Sequence, residues 1–419
     1  MFSFLMTQAA RARRDAQNWL EVADKVFHYR RDELKDSELA ELNLRRQDLR
    51  QRVKQKADAS QIKLGIEALE TVLHKVGGHV YPKTALADNV EFFLAAAIII
   101  IGIRTFFVQP FKIPTNSMWP SYFGMKSACY SVPANAPGWA EQAFRLLQLG
   151  ATRHTAVAPA SGELEIPFRG TQDGQLVVEY RRTQGRKWLV IPAEVREYTF
   201  FVGGEPVSFQ VPADFSEVDS MVAECLLPKS PDLRPYRDEY RATGHARIKT
   251  GRHFEKGETV FSFDVLTGDQ LFVDRFSYHF FDPQVGEGFV FRTRNIELLG
   301  QDQYYIKRLV GVPGDVMEIR PPVLLRNGSP ITGAEAFDLN AKRVGLYKGY
   351  GNGVKNPPWL GLLGKGETLK VPESSFLALG DNSYNSLDGR FWGYVPAKDA
   401  MGRPLFIYYP FTKRWGPAR

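Results

Sequence analysis

Ser117 and Lys307 are the residues whose types and settings point most directly to covalent chemistry. Ser117 lies in QPFKIPTNSMWPS, shortly after the apolar run from Phe92 to Val108. An unassisted serine hydroxyl is a poor nucleophile at neutral pH and needs a general base within hydrogen-bond reach. Lysine serves only as the free amine, so its reference pKa of ~10.4 must fall by several units, which burial against apolar walls achieves. In YYIKRLVGVPGD, Tyr304, Tyr305 and Ile306 before Lys307, and Leu309 and Val310 after it, can supply that wall. Gly311-Val312-Pro313-Gly314-Asp315 beyond them reads as a tight turn. Taken alone, a Lys-Arg pair in a strand belongs at an edge or toward solvent. A third stretch, GDNSYNSLDGRFWG from Gly380, adds Ser386 and Asp388, a spacing that also suits an Asx/Ser turn in a glycine-flanked loop.

Each pattern by itself is weak; their order after a single apolar span is specific. Ser117-Met118-x-Pro120, then Lys307-Arg308 with Gly311, Pro313, Gly314 and Asp315, then Gly380-Asp381-Asn382 with Ser386, Asp388 and Arg390, resemble the three boxes of the type I signal peptidases. These are serine–lysine proteases that remove signal peptides. The resemblance covers roughly 106–122, 268–320 and 371–396 and implies roles for some of the matched residues. Ser117 is the acylated nucleophile, and Lys307 is its base and later the acid for the leaving amine. Ser386 holds the lysine by a hydrogen bond, Asp388 stands behind it, and Arg390 braces the loop. The Ser117 backbone N–H and the Thr115 hydroxyl form the oxyanion hole. Phe111, Ile113, Pro114, Tyr305 and Ile306 line shallow pockets that admit small side chains at the first and third residues before the cut. The substrate adds to the flanking strands as an extended peptide. Two departures stand out: Glu287 in place of an aspartate in VGEGFVF, and Gly389 where a second serine is usual.

These residues must be positioned by several kinds of element. Asp15 to Val76 is rich in helix formers and free of proline. Ile62, Ile66, Leu69, Leu73 and Val76 step along one helix face, which suits a helical hairpin or a short coiled coil, with a break near Ala57-Asp58-Ala59-Ser60 and Ser60 as cap. The preceding MFSFLMTQAARARR is too short in its apolar part for a secretory signal and reads as a helix start or a surface-touching segment. Tyr81-Pro82 ends the helical region. Phe92 to Val108 then predicts a short transmembrane helix stopped by Pro110, with Arg104 snorkelling to the headgroups. Charge on either side barely decides orientation. The basic N-terminal region, and the outer-side cutting that the resemblance implies, favour a single-pass bacterial inner-membrane protein with the catalytic domain extracytoplasmic.

From Phe111 onward, short apolar runs alternate with Gly, Pro, Asn and Asp, predicting a mainly β domain of antiparallel sheets. Turns are expected at Thr183-Gln184-Gly185 and Gly203-Gly204, and one helix over Trp139–Leu149. The expected division is 1–89 helical and cytoplasmic, 90–108 transmembrane, 109–124 with 268–419 as the catalytic β domain, and 125–267 as an inserted, mostly β accessory subdomain. The family normally passes in a few residues where this insert lies. Cys129 and Cys225, both beyond the span, suit either one disulfide or two buried thiols.

Composition narrows the function classes. The net charge of +7 is modest, and no basic, aromatic-interleaved cluster marks a nucleic-acid module. The seven histidines are scattered singly without metal-ligand spacing, so no metal or cofactor is expected; His279 near Asp282 is the His-based rival for the base. The expected partners are signal-peptide-bearing preproteins and membrane lipid, with secretion machinery as a further partner and no nucleic acid. A catalytically silent, membrane-anchored β scaffold of the cell envelope is the alternative function. A self-cleaving repressor with a Ser–Lys dyad conflicts with the apolar span.

Overall fold

The computed structural model describes residues 7–81, 85–130, 136–170, 176–187, 191–228, 234–353 and 361–418. The chain forms two compact units, Met1–Ile101 and Gly102–Arg419. Met1 to Met6 of the N-terminal segment, Pro82 and Trp188 lie outside the described residues.

The first unit contains three packed helices rather than the expected hairpin of two: α1 (Gln8–Arg30), α2 (Asp36–Lys54) and α3 (Ala59–Val76). The additional break falls at Arg31–Lys35, where no glycine or proline flags it. The Glu38 side chain accepts from the Lys35 backbone N–H at 3.0 Å and so starts α2. At the second break Asp58, not Ser60, is the cap, its carboxylate accepting from the Ser60 N–H and hydroxyl. The apolar stripe of α3 is buried at Ile62, Leu69, Leu73 and Val76 against Ala16, Leu20, Ala23, Leu42 and Leu49.

α4 (Ala85–Phe106) is the one helix among the described residues long and apolar enough to cross a membrane, over Leu86–Phe106. It begins earlier and ends sooner than the sequence suggested. Phe107 N still bonds Ile103 O, but Val108–Lys112 is already a strand, with Pro110 inside it. Proline fits there because this is an edge strand, whose outward side has no ladder partner among the described residues. The helix therefore ends before the proline.

The second unit is built mainly from antiparallel sheets. Its largest sheet runs Val108–Lys112, Gln270–Asp274, Ala400–Tyr409, Gly288–Arg292, Tyr304–Gly311, Ser375–Leu379 and Val395–Pro396, with Gly416–Pro417 beside Ala400–Tyr409. Hereafter Val108–Lys112 is the entry strand and Tyr304–Gly311 the lysine strand. A four-stranded sheet packs Met317, Ile319 and Leu324 into a core shared with Phe337 of the helix Glu335–Lys342.

Residues 125–267 form a three-stranded and a six-stranded sheet over a separate aromatic core that includes Phe200, Phe209, Phe215, Phe261 and Phe263. Lys126 pairs with Leu266, so the two ends of this segment are neighbours. α5 (Trp139–Leu149) and α6 (Val218–Cys225) belong to it, and Cys225 forms a disulfide with Cys129, their Cα atoms 6.1 Å apart. The Gly203-Gly204 turn is present, both residues at positive φ, joining strands paired from Val202↔Glu205 onward. Thr183-Gln184-Gly185, by contrast, lie within a strand, opposite Val195, Glu194 and Ala193. The uninterrupted ladder Arg181–Lys187 with Ile191–Glu197 satisfies more backbone groups than a turn at 183 would.

Candidate active site

Ser117 sits in a single 3-10 turn, Asn116–Met118, which Ile113-Pro114-Thr115 join to the entry strand. Two asparagines clamp that turn. Asn116 accepts from Gly124 N at 3.1 Å and donates to Met125 O at 3.3 Å. Asn382 donates from its backbone to Ser117 O and from its side chain to Asn116 O, each at 3.0 Å. Buried backbone carbonyls at a tight turn need such partners.

Lys307 comes from the lysine strand, opposite Phe289, and is buried, 4% exposed. Its Nζ lies 2.7 Å from Ser117 Oγ and donates to Ile306 O at 3.2 Å. Loss of hydration lowers its pKa to about 8, against a smaller opposing pull from Asp388 and Asp381, while Arg390 adds to the lowering. Arg308, its neighbour on the strand, is also buried; its guanidinium meets the Asp381 carboxylate at 2.5 Å and donates to Gly286 O at 2.9 Å. Neither member of the Lys-Arg pair faces solvent.

A cleft of about 350 Å³ runs past Ser117 and Lys307. One wall is the Phe111–Thr115 segment and the other is Tyr304–Ile306. Both backbones are open toward it. Among the described residues the entry strand pairs only with Gln270–Asp274. The lysine strand pairs with Ser375–Leu379 only from Arg308 onward. An extended peptide can therefore add between them. Ile113 is buried; Phe111, Pro114, Tyr305 and Ile306 are half-buried, and Thr115 is exposed at the mouth.

The third motif is arranged differently from the expectation at one point. Ser386 Oγ is buried without a hydrogen-bond partner, so the expected bond from Ser386 to Lys307 is not formed. The lysine amine is turned toward Ser117 Oγ and the Ile306 carbonyl instead. Asp388 accepts from Gly380 N at 2.9 Å and from Arg390 Nε and Nη2, both at 2.8 Å. Arg390 also donates to Gly351 O and to Ser383. At Gly389 a β-carbon would sit 2.9 Å from the Ala378 carbonyl oxygen and 2.8 Å from Leu377 Cδ1, so a serine there requires the backbone to shift. Glu287 is fully engaged, accepting from Tyr278 Oη at 3.0 Å and Arg403 Nη1 at 2.8 Å. His279 is exposed and does not line the cleft.

Residues 260–409 match the family model described as signal peptidase, peptidase S26. Through this domain the chain resembles the type I signal peptidases. The matched segment contains Lys307, Ser386 and Asp388 and begins after the 125–267 segment has almost ended, so Ser117 lies outside it. Among relatives, a probable signal peptidase I-1 of Synechocystis sp. (strain ATCC 27184 / PCC 6803 / Kazusa) is 32% identical over 152 residues, 36% of this chain and 66% of its own. Signal peptidase I of Leptolyngbya laminosa is 33% identical over 35% of this chain and 62% of its own. Signal peptidase I S of Bacillus subtilis (strain 168) is 29% identical over 28% and 59%. The matches thus span less than two thirds of these relatives and about a third of this chain.

Sequence reasoning gave no role to Asn116, Asp381 or Asn382, although all three stand inside the quoted motifs. It also missed Ser216 and Glu217, which line the same cleft from the 125–267 segment. No motif surrounds those two residues.

Proposed function

We propose that this chain is a membrane-anchored serine endopeptidase that removes N-terminal signal peptides from preproteins. The observation that carries it is the 2.7 Å approach of a buried lysine amine to a serine hydroxyl, in a cleft with two open strand edges. Ser117 Oγ attacks the scissile carbonyl carbon while neutral Lys307 takes the hydroxyl proton. The tetrahedral oxyanion is met by the Ser117 N–H and the Thr115 hydroxyl. As the C–N bond breaks, the Lys307 ammonium returns the proton to the leaving amine, giving an ester on Ser117. Water, activated by the same amine, then releases the signal peptide as a carboxylate and restores both side chains. Ser386 and Asp388 support the lysine's surroundings, and Arg390 holds Asp388. Phe111, Ile113, Pro114, Tyr305 and Ile306 shape the pockets for small residues.

The test is cleavage of a preprotein by the detergent-solubilised chain beside Ser117→Ala and Lys307→Met. Both variants are expected to be inactive; near-normal turnover by either refutes the assignment.

We read α4 as the anchor of a bacterial inner-membrane protein, with residues before Glu91 cytoplasmic and those after Val108 extracytoplasmic. The Cys129–Cys225 disulfide supports that orientation, because such bonds persist on the oxidising side. Residues 125–267 then form an accessory module outside the membrane, and lipid and secretion machinery are partners. Protease added to intact spheroplasts should spare α1–α3; their digestion would reverse the topology.

A further inference from the structure

The module 125–267 supplies part of the cleft wall, and that wall is built rather than loose. Lys112 of the entry strand pairs with Asp214 at 2.7 Å. Phe215 is wholly buried in the module core. Glu217 stands at the N-terminal end of α6, and the C-terminal residue of α6, Cys225, is bonded to Cys129 on the strand Lys126–Tyr130. That strand begins directly after the nucleophile loop. The segment 214–217 is therefore tied to the catalytic side at one end and covalently braced at the other. It presents Ser216 and Glu217 to the cleft.

The charges around Glu217 leave its carboxylate available. Asp214 is occupied by Lys112. Lys126 is near enough to interact through space, but it lies over the rings of Trp119 and Phe123, 4.9 and 4.6 Å from their centroids. Asp219, two residues on at the same helix end, accepts from Val178 N. Among the described residues Glu217 has no ion-pair partner. A peptide lying extended between the two open edges alternates its side chains. Those of the first and third residues before the cut enter the pockets, and those of the second and fourth point the other way.

We propose that Glu217 is a specificity-determining residue that selects precursors carrying a basic side chain at the second or fourth residue before the cut. This rests on the signal-peptidase reading above. The test uses full-length protein in detergent and peptides that differ only at one of these two positions, bearing Lys, Gln or Glu. In the parent, kcat/KM for Lys should exceed that for Glu by roughly tenfold at one of the positions, as expected for a partly screened pair across a cleft. The ratio should fall to near one in Glu217→Gln and invert in Glu217→Lys. Each ratio is taken within one preparation, so differences in folded fraction cancel. A parent without charge preference, or equal ratios in parent and Glu217→Gln at both positions, overturns the proposal. Cleavage that survives in Ser117→Ala would instead bring down the protease reading beneath it.

Discussion

Lys307 and Arg308 are adjacent on one strand, both buried, yet their surroundings produce opposite chemistry. Arg308 has a carboxylate, Asp381, in direct contact, and the pair keeps its charges. The carboxylates near Lys307 act only from a distance, because Asp388 is consumed by Arg390 and Gly380 and Asp381 by Arg308. The amine is left with a hydroxyl and a carbonyl. Burial therefore lowers its pKa to about 8, whereas the paired arginine is held above its usual range. The difference lies in where the carboxylates are spent, not in how deeply each cation is buried.

The largest effect should come from removing the amine itself. Lys307→Met is expected to lower kcat/KM for peptide cleavage by on the order of 10⁴-fold or more, as should Ser117→Ala, with no additivity in the double variant. Additive losses would mean the two residues do not act as a unit. Next in size are opposite shifts in stability from the two neighbours. Asp381→Asn leaves the Arg308 guanidinium buried without its counter-charge and should destabilise by about 3–5 kcal/mol. Lys307→Met removes a buried ammonium and should stabilise at neutral pH, at most on the order of 3 kcal/mol. The folded pKa lies below the unfolded one, so the cost is full below about 8 and shrinks as pH rises toward the unfolded value of ~10.4. The gain in Lys307→Met should fade over that window. Thermal melting against pH in detergent checks both, and shifts of the same sign would break the contrast.

The sequence made the dyad legible because short, ordered motifs bracket both residues, and because YYIK and RLVG supply an apolar wall on either side of the amine. It could not show that Asp388 is committed to Arg390, since that depends on the turn bringing two residues of one loop together. The Ser386 bond was misjudged for the same reason: hydroxyl direction is set by tertiary packing. The antiparallel strands of the second unit followed from alternation and punctuation, and the helix Trp139–Leu149 was legible too, but the helices Val218–Cys225, Arg234–Thr243 and Glu335–Lys342 were not. The break at Arg31–Lys35 did not, because its residues are all tolerated inside helices and only the Glu38 bond to Lys35 marks the new start. Thr183–Gly185 misled because turn-like residues can occupy a strand when the opposing register is long enough. Glu217 carried no local signal at all; its place at the cleft depends on an ion pair and a disulfide formed across the fold.

The central claim is that Lys307 acts as a neutral amine on Ser117, and the pH dependence of kcat/KM tests it most directly. With an uncharged peptide substrate, kcat/KM should rise about tenfold per pH unit on the acid side and level off through one ionisation near 8. That ionisation should persist in His279→Gln. An ionisation near the histidine value of ~6.5, lost in His279→Gln, would contradict the account.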